Sequence, residues 1–311
     1  MRALICGSLA YDTIMVFQDR FANHILPDKV HMLSVAFYVP QMRREFGGCS
    51  GNISYNLKLL GGEPVPFGAV GQDFAPYRAH MQACGIGLDH VRQLDDCFTA
   101  QAFITTDLDD NQITAFHPGA MQRSHEVSVD TVADVQIAIV APDNRDAMLN
   151  HARDLSARGI PFIFDPGQAM PLFNGEEFRA FIEQATWVTV NDYESQMLSE
   201  RTGWSASEIA ERVQAYIITR GGEGSHWHTR DGLLEIPCAK AARIADPTGC
   251  GDAYRAGLLF GLMRGMDLAT TGRIASLAGT IKVEHPGTQN QRYTPAEFAD
   301  RFEAEFGYRY E

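Results

Sequence analysis

The chain alternates short, almost uninterrupted apolar runs with longer stretches in which apolar residues recur every three or four positions. Residues 3–6, 65–70, 137–140, 162–164, 187–190 and 216–219 read as strands buried on both faces. That pattern belongs to a parallel sheet covered by helices on both sides. Met148, Leu149, Ala152 and Leu155 predict a helix over 145–158, stopped at Gly159. Ile53, Leu57 and Leu60 predict another, stopped by Gly61-Gly62; Ala253, Ala256, Leu259, Phe260 and Met263 predict a third, ended by Gly265. The expected class is α/β.

Two stretches break the alternation. One is 11–17 together with 30–39; the other is 99–116, which reads as a hairpin of 102–106 and 112–116 around an acidic, solvated turn holding Asp107, Asp109 and Asp110. They predict a small β-layer that acts as a lid, with segments at about 11–40 and 97–118. No repeat, low-complexity tract or linker divides the chain, so 1–311 is expected to be one α/β body with this appendage. Polar and glycine residues follow the predicted strands: Gly7-Ser8 and Asp12, Asp143, Asp165-Pro166-Gly167, Asn191-Asp192 and Arg220-Gly221-Gly222. The carboxyl edge of an open α/β sheet is where ligands bind, although loops are polar in any case.

Composition narrows the chemistry. The 311 residues are 45% apolar and 21% charged, which is ordinary globular composition, and the formal net charge is −13. Neither nucleic acid nor an anionic membrane is expected as a partner. There are only four lysines, Lys29, Lys58, Lys240 and Lys282, and none follows a glycine. A P-loop is therefore excluded, and any nucleotide must be held by another device. Cys6, Cys49, Cys84, Cys97, Cys238 and Cys250 have neither Cys-x-x-Cys nor zinc spacing and read as reduced thiols of a cytoplasmic protein. No secretory leader is expected at the N-terminus, and no run of 18 apolar residues occurs.

The densest local signal is Asp246-Pro247-Thr248-Gly249-Cys250-Gly251-Asp252, leading into the predicted third helix. Free amides of Gly249, Cys250 and Gly251 at a helix start make an anion site without lysine. Asp252 beside it reads either as a helix cap or as a base that deprotonates a hydroxyl attacking a bound phosphoryl group. Cys250 has no partner that would make it a nucleophile. The second signal is Gly47-Gly48-Cys49-Ser50-Gly51-Asn52, where Gly48 permits close ligand approach and Asn52 suits a pair of sugar hydroxyls; the alternative is a tight βα turn. Asp12 is a further acceptor for hydroxyls. His226 and His228 are too few for a metal site. Arg43-Arg44 either neutralise phosphate or decorate the surface of a helix or loop.

Together these motifs resemble the ribokinase/PfkB family of carbohydrate and nucleoside kinases. Residues 246–252 resemble its Asp-Thr-x-Gly-Ala-Gly-Asp signature, and 47–52 its Gly-Gly signature. Asn191-Asp192-Tyr193-Glu194 is similar to its Asn-x-x-Glu motif, and Thr219-Arg220-Gly221-Gly222-Glu223-Gly224 to its nucleotide loop. The matches occur in family order from residue 7 to about 290. The resemblance implies a doubly wound, mostly parallel sheet with a small β-sheet lid, and ATP as donor. It implies Asp252 as base, with Gly249, Cys250 and Gly251 as the anion hole. Asp12, Gly48 and Asn52 would bind the sugar. Asn191, Thr219, Gly221, Gly222 and Gly224 would hold the nucleotide, and Glu194 would act on Mg2+ through water. Asp246 and Thr248 would begin a monovalent-cation (K+) site, completed by carbonyls near Val283 and Gly287. Pro247 and Cys250 depart from the family's usual Thr and Ala. Cys49 stands where ribose kinases commonly carry Lys, which disfavours free ribose.

The lid is similar to that of bacterial adenosine and broad-specificity nucleoside kinases. Phe37, Tyr38, Phe103 and Phe116 are candidates for stacking on a base, Gln112 for reaching the nucleoside or phosphates, and His117 for a ligand contact. The expected function is ATP-dependent phosphorylation of the 5′-hydroxyl of adenosine, inosine or guanosine, by a monomer or homodimer. A ribose or fructose kinase and a noncatalytic nucleoside-binding protein are the alternatives.

Overall fold

The computed structural model describes residues 1–25, 34–109 and 111–310. Lys29, residues 30–33 of the expected lid segment and Asp110 lie outside the described residues. The strands are β1 (Arg2–Cys6), β2 (Ala10–Val16), β3 (Gln41–Gly47), β4 (Glu63–Val70), β5 (Val91–Gln93), β6 (Ala100–Thr106), β7 (Gln112–His117), β8 (Val135–Val140), β9 (Phe162–Phe164), β10 (Trp187–Asn191), β11 (Ala215–Thr219), β12 (Ser225–Thr229) and β13 (Gly232–Ile236). Nine of them form one sheet in the order β13-β12-β11-β10-β9-β8-β1-β4-β5, parallel except for β12 and β13 at one edge. The order reverses between β1 and β8, which opens the crevice an open α/β sheet offers to ligands.

The helices are α1 (Cys49–Leu59), α2 (Ala75–Ala83), α3 (Arg145–Ala157), α4 (Gly175–Gln184), α5 (Asp192–Thr202), α6 (Ala206–Ala210), α7 (Cys250–Met263), α8 (Leu268–Val283) and α9 (Pro295–Phe306). Successive strand residues point to opposite faces. Ala3, Ile5, Ile137, Ile139 and Ile217 therefore pack against α1, α7, α8 and α9. Leu4, Cys6, Ala138, Val140 and Tyr216 pack against α3 to α6. This two-sided burial is what the uninterrupted apolar runs encode, and all six predicted strands occur. The helix predicted over 145–158 is α3: Asn144 caps it by accepting the N–H groups of Asp146 and Ala147, and Gly159 at φ 64° ends it.

The second sheet has the order β3-β2-β6-β7. β2 leaves β1 after three residues, so the lid is rooted at the carboxyl edge of the main sheet. The expected partner of β2 at 30–39 is not a strand where it is described; the strand comes at Gln41–Gly47. Its charged Arg43, Arg44 and Glu45 mask the pattern, and only pairing with β2 reveals it. Arg43 and Arg44, expected on a helix or loop surface or at phosphate, thus sit on a lid strand. Arg44 lies over the Tyr11 ring at 3.6 Å and reaches Asp73 at 3.3 Å. Among the described residues no helix is long and apolar enough to cross a membrane.

Candidate active site

The C-terminal glycine motif folds through its own side chains. Asp246 Oδ1 accepts the N–H of Thr248 at 2.9 Å, turning the chain at Pro247. The Pro247 carbonyl then accepts the N–H of Cys250 at 3.2 Å. Gly249, at φ 80° and ψ 2°, holds the third position of this turn, which is type II and demands a positive φ there. Gly249 also caps α7. The N–H groups of Gly249, Gly251 and Asp252 donate to no other group among the described residues. This amends the expected trio: the Cys250 N–H is drawn back to Pro247 by the turn, and the Asp252 N–H stands free in its place. Burial pushes the Cys250 thiol up to about 11, so it stays protonated at neutral pH.

The N-terminal glycine motif starts α1 against the β1–β2 connection. Gly48 has φ 83°, and a methyl group there would lie 2.5 Å from the Ser8 carbonyl oxygen. That carbonyl accepts the N–H of Ser50 at 2.9 Å, and Ser8 Oγ accepts the N–H of Cys49 at 3.2 Å. The first turn of α1 is thereby aimed at the first turn of α7. Asn52 Nδ2 donates to Asp252 Oδ2 at 2.8 Å, across 200 residues of sequence.

Behind this contact lies a polar chain that sequence reading did not find. Gln289 Nε2 donates to Asn52 Oδ1 at 2.9 Å and to the Tyr77 hydroxyl at 2.7 Å. Tyr77 donates to the Gly47 carbonyl at 2.8 Å, and His80 Nε2 meets Gln289 Oε1 at 2.9 Å. Asn52 thus has its amide fixed, oxygen toward Gln289 and nitrogen toward the carboxylate. Burial, reinforced by Asp165, pushes the Asp252 carboxyl up to about 6 against the lowering effect of Asn52.

Asp12 stands on β2 with Glu45 opposite on one side and Ala102 on the other. Its carboxylate makes no hydrogen bond among the described residues, and burial, with Glu45 second, pushes it up to about 6. Residues directly opposite in a sheet share a face. Ala102 faces Phe116, and Thr106 faces Gln112, so Phe116 and Gln112 share the Asp12 face, Gln112 at its far end. Phe103 faces Thr13 and Ala115, on the reverse side. Phe103 and Phe116 therefore cannot clasp one base from this sheet, because alternation along the strands separates them. Phe37 is also accounted for otherwise: its ring lies 4.8 Å from that of Phe17 and 4.9 Å from that of Phe21. Tyr38 is exposed. His117 is opposite Gln101, on the Phe103 side.

At the ends of β9, β10 and β11 the remaining candidates line up. Asn191 and Glu194 form a capping box at the start of α5: Asn191 Oδ1 accepts the N–H of Glu194 at 2.7 Å, and Glu194 Oε2 accepts that of Asn191 at 2.8 Å. One Glu194 oxygen stays available, and burial, then Asp165, raises its carboxyl. Arg255, on α7, grips Asp165 in a buried bidentate pair at 2.9 and 3.0 Å. This pair also went unread, since Asp165 and Arg255 are far apart in sequence. Thr219 Oγ1 donates to the Val190 carbonyl at 3.3 Å. A methyl group on Gly221 or Gly222 would meet nothing, which leaves an open ledge, whereas one on Gly224 would run into the Ile236 carbonyl. Beside this ledge lies a cavity of about 470 Å3 lined by Arg220, Glu223, His226, Glu235 and Pro237.

The expected potassium site does not fit the residues present. Asp246 spends its carboxylate on the N–H groups of Thr248 and Gly287, both at 2.9 Å. The Val283 carbonyl accepts from Ala245 and Asp246. The Asp246 carbonyl receives Lys282 Nζ at 3.0 Å.

A doubly wound sheet with a lid sheet rooted at its carboxyl edge, over a helix start with unpaired amides, is the layout of a ribokinase-like phosphotransferase. The chain belongs to the pfkB family: the model for pfkB family carbohydrate kinase matches residues 10–295. A nucleoside kinase of Methanocaldococcus jannaschii is 31% identical over 87% of this chain and 89% of that protein. The structure of Burkholderia thailandensis nucleoside kinase in complex with inosine superposes with a TM-score of 0.90 at 52% identity, covering 99% of each chain. The same kinase in complex with ADP-inosine gives 0.88 at 54% identity, over 99% of this chain and 97% of that one.

Proposed function

We propose that this protein is an ATP-dependent nucleoside kinase that transfers the γ-phosphoryl group to the 5′-hydroxyl of a purine nucleoside: adenosine, inosine or guanosine. The observation that carries the reading is the Asn52–Asp252 hydrogen bond, which sets the Asn52 amide and the Asp252 carboxylate beside the main-chain N–H groups of Gly249, Gly251 and Asp252, unpaired among the described residues. The Burkholderia thailandensis nucleoside kinase, solved in complex with inosine and with ADP-inosine, supports the substrate class.

In this reading Asp12, Gly48 and Asn52 hold the ribose, with the Asp12 carboxylate, which has no hydrogen-bond partner among the described residues, accepting two hydroxyls. Asp252 takes the 5′-hydroxyl proton as that oxygen attacks phosphorus and ADP leaves. Gly249, Gly251 and Asp252 donate main-chain N–H groups to the phosphoryl oxygens, where charge accumulates. The Gly221-Gly222 ledge, with Asn191, Thr219 and Gly224, seats the nucleotide. The free oxygen of Glu194 fits Mg2+ held mainly by the ATP phosphates, through water, and no group of three metal-ligating side chains occurs among the described residues. Bound there, Mg2+ would neutralise phosphate charge. The six thiols are free, in keeping with a cytoplasmic setting.

ADP production from ATP and Mg2+ with a panel of nucleosides and sugars tests the reading. Turnover with purine nucleosides is expected; phosphorylation of ribose or fructose and of no nucleoside would overturn it. Within the lid, Phe116→Ala is expected to raise the nucleoside KM about tenfold, the loss of one base–aromatic stack, and Phe103→Ala to leave it near the parent value. Equal effects of the two would contradict the assignment of faces.

A further inference from the structure

Lys282 is one of four lysines, and its side chain has no solvent exposure. It leaves the last turn of α8 and runs past the anion turn: a methyl group on Gly249 would lie 3.6 Å from its Cε. Its Nζ donates to two main-chain carbonyls, Asp246 at 3.0 Å and His285 at 3.0 Å, and it forms no ion pair within 4 Å among the described residues. A buried ammonium is costly unless its N–H groups are met, and here they are met chiefly by carbonyl dipoles. Carbonyl oxygens converging on one positive charge are the surroundings of a bound potassium ion, and an ammonium group has the same charge and a similar size.

We propose that the Lys282 ammonium is a built-in monovalent cation, seated among the carbonyls where the family resemblance places potassium, and that the protein works without that ion. Three features make the position effective. Asp246 opens the turn that presents the Gly249 and Gly251 amides, so the ammonium anchors that turn from behind. His285 lies two residues before Gly287, whose N–H holds Asp246 Oδ2, and four before Gln289, which orients Asn52. One tethered charge therefore locks together the anion turn and the support of Asn52. Being covalently attached, it loses little freedom on folding compared with a captured ion and cannot be diluted away.

Part of the test rests on the kinase reading and part does not. The full chain is unfolded thermally in KCl, NaCl and tetramethylammonium chloride at equal ionic strength, which needs no activity. Equal midpoints, within about 1 °C, are expected, because an ion bound only by the folded state would raise Tm with its concentration. The rate of ADP production should likewise vary by less than about twofold among the three salts. A rise in Tm or rate specific to potassium would overturn the proposal; absence of any nucleoside turnover would sink the kinase reading and leave the thermal result standing.

Two variants add a positive outcome. Lys282→Met keeps the stem and removes the charge, and is expected to lose about tenfold or more in kcat with a smaller change in nucleoside KM. Lys282→Ala opens the space, so potassium or ammonium chloride should restore part of its rate and raise its Tm, while tetramethylammonium should do neither. A Met variant with the parent kcat, or a folded Ala variant indifferent to every cation, would refute the assignment.

Discussion

Asp252→Asn is expected to lower kcat by about 10²–10⁴-fold, the usual worth of a positioned general base. Nucleoside affinity should change far less, because the amide oxygen of the introduced asparagine can still accept the hydrogen bond from Asn52 Nδ2. The same substitution should stabilise the fold at neutral pH. The Asp252 carboxyl rises from 3.8 to about 6 on folding, so the native state holds its proton more tightly than the unfolded chain. Stability contributed by this group is therefore present at low pH, falls as pH rises between about 4 and 6, and stays lost above. An asparagine carries no such penalty, and the difference in Tm between variant and parent should be positive at pH 8 and shrink toward pH 4. In the parent, the proposed role of Asp252 as base requires kcat to rise with pH through about 6, because a carboxylate must be ionised to accept the proton. Near-normal turnover by the variant would remove Asp252 from the role of base.

Arg255→Met should cost about 3–5 kcal/mol, because it strands the Asp165 carboxylate without its buried partner. In a chain of this size that corresponds to a fall in Tm of roughly 10 °C. The effect reaches the site. Arg255 lowers the Asp252 carboxyl while Asp165 raises it, so loss of the guanidinium should move the acid limb of the rate profile to higher pH. Adding Asp165→Asn removes the stranded charge and should return most of the stability and move the limb back. Calorimetry and pH–rate profiles of the single and double variants check this. A single variant melting with the parent would show that the pair contributes nothing.

The local elements of the site were readable because each rests on short-range chemistry. Gly249 stood out as part of a glycine-rich helix start, and the start of α7 followed from the apolar spacing after it; the type II turn that holds Gly249 at positive φ is what the structure adds. The capping box at Asn191 and Glu194 was present in the residues as Asn-x-x-Glu but was read only as a family motif. What stayed hidden depends on register and long-range contact. Phe103 and Phe116 look equivalent in sequence, yet a strand changes face with every residue, and only the pairing of β2, β6 and β7 separates them. Strand β3 carries charges where a buried strand would carry valines, so no run announced it.

The amino-acid sequence alone determined the α/β class, both glycine-rich helix starts, the absence of a P-loop and the carboxylate at residue 252, since turns, caps and apolar period are properties of neighbouring residues. Tertiary structure alone decided which groups meet. It brought Asn52 to Asp252, closed Arg255 on Asp165, ran the Gln289–Tyr77–His80 chain behind Asn52 and buried the ammonium of Lys282 at the anion turn. Those contacts span tens to hundreds of residues, and they exist because packing both faces of one sheet brings the starts of α1 and α7 together at its carboxyl edge.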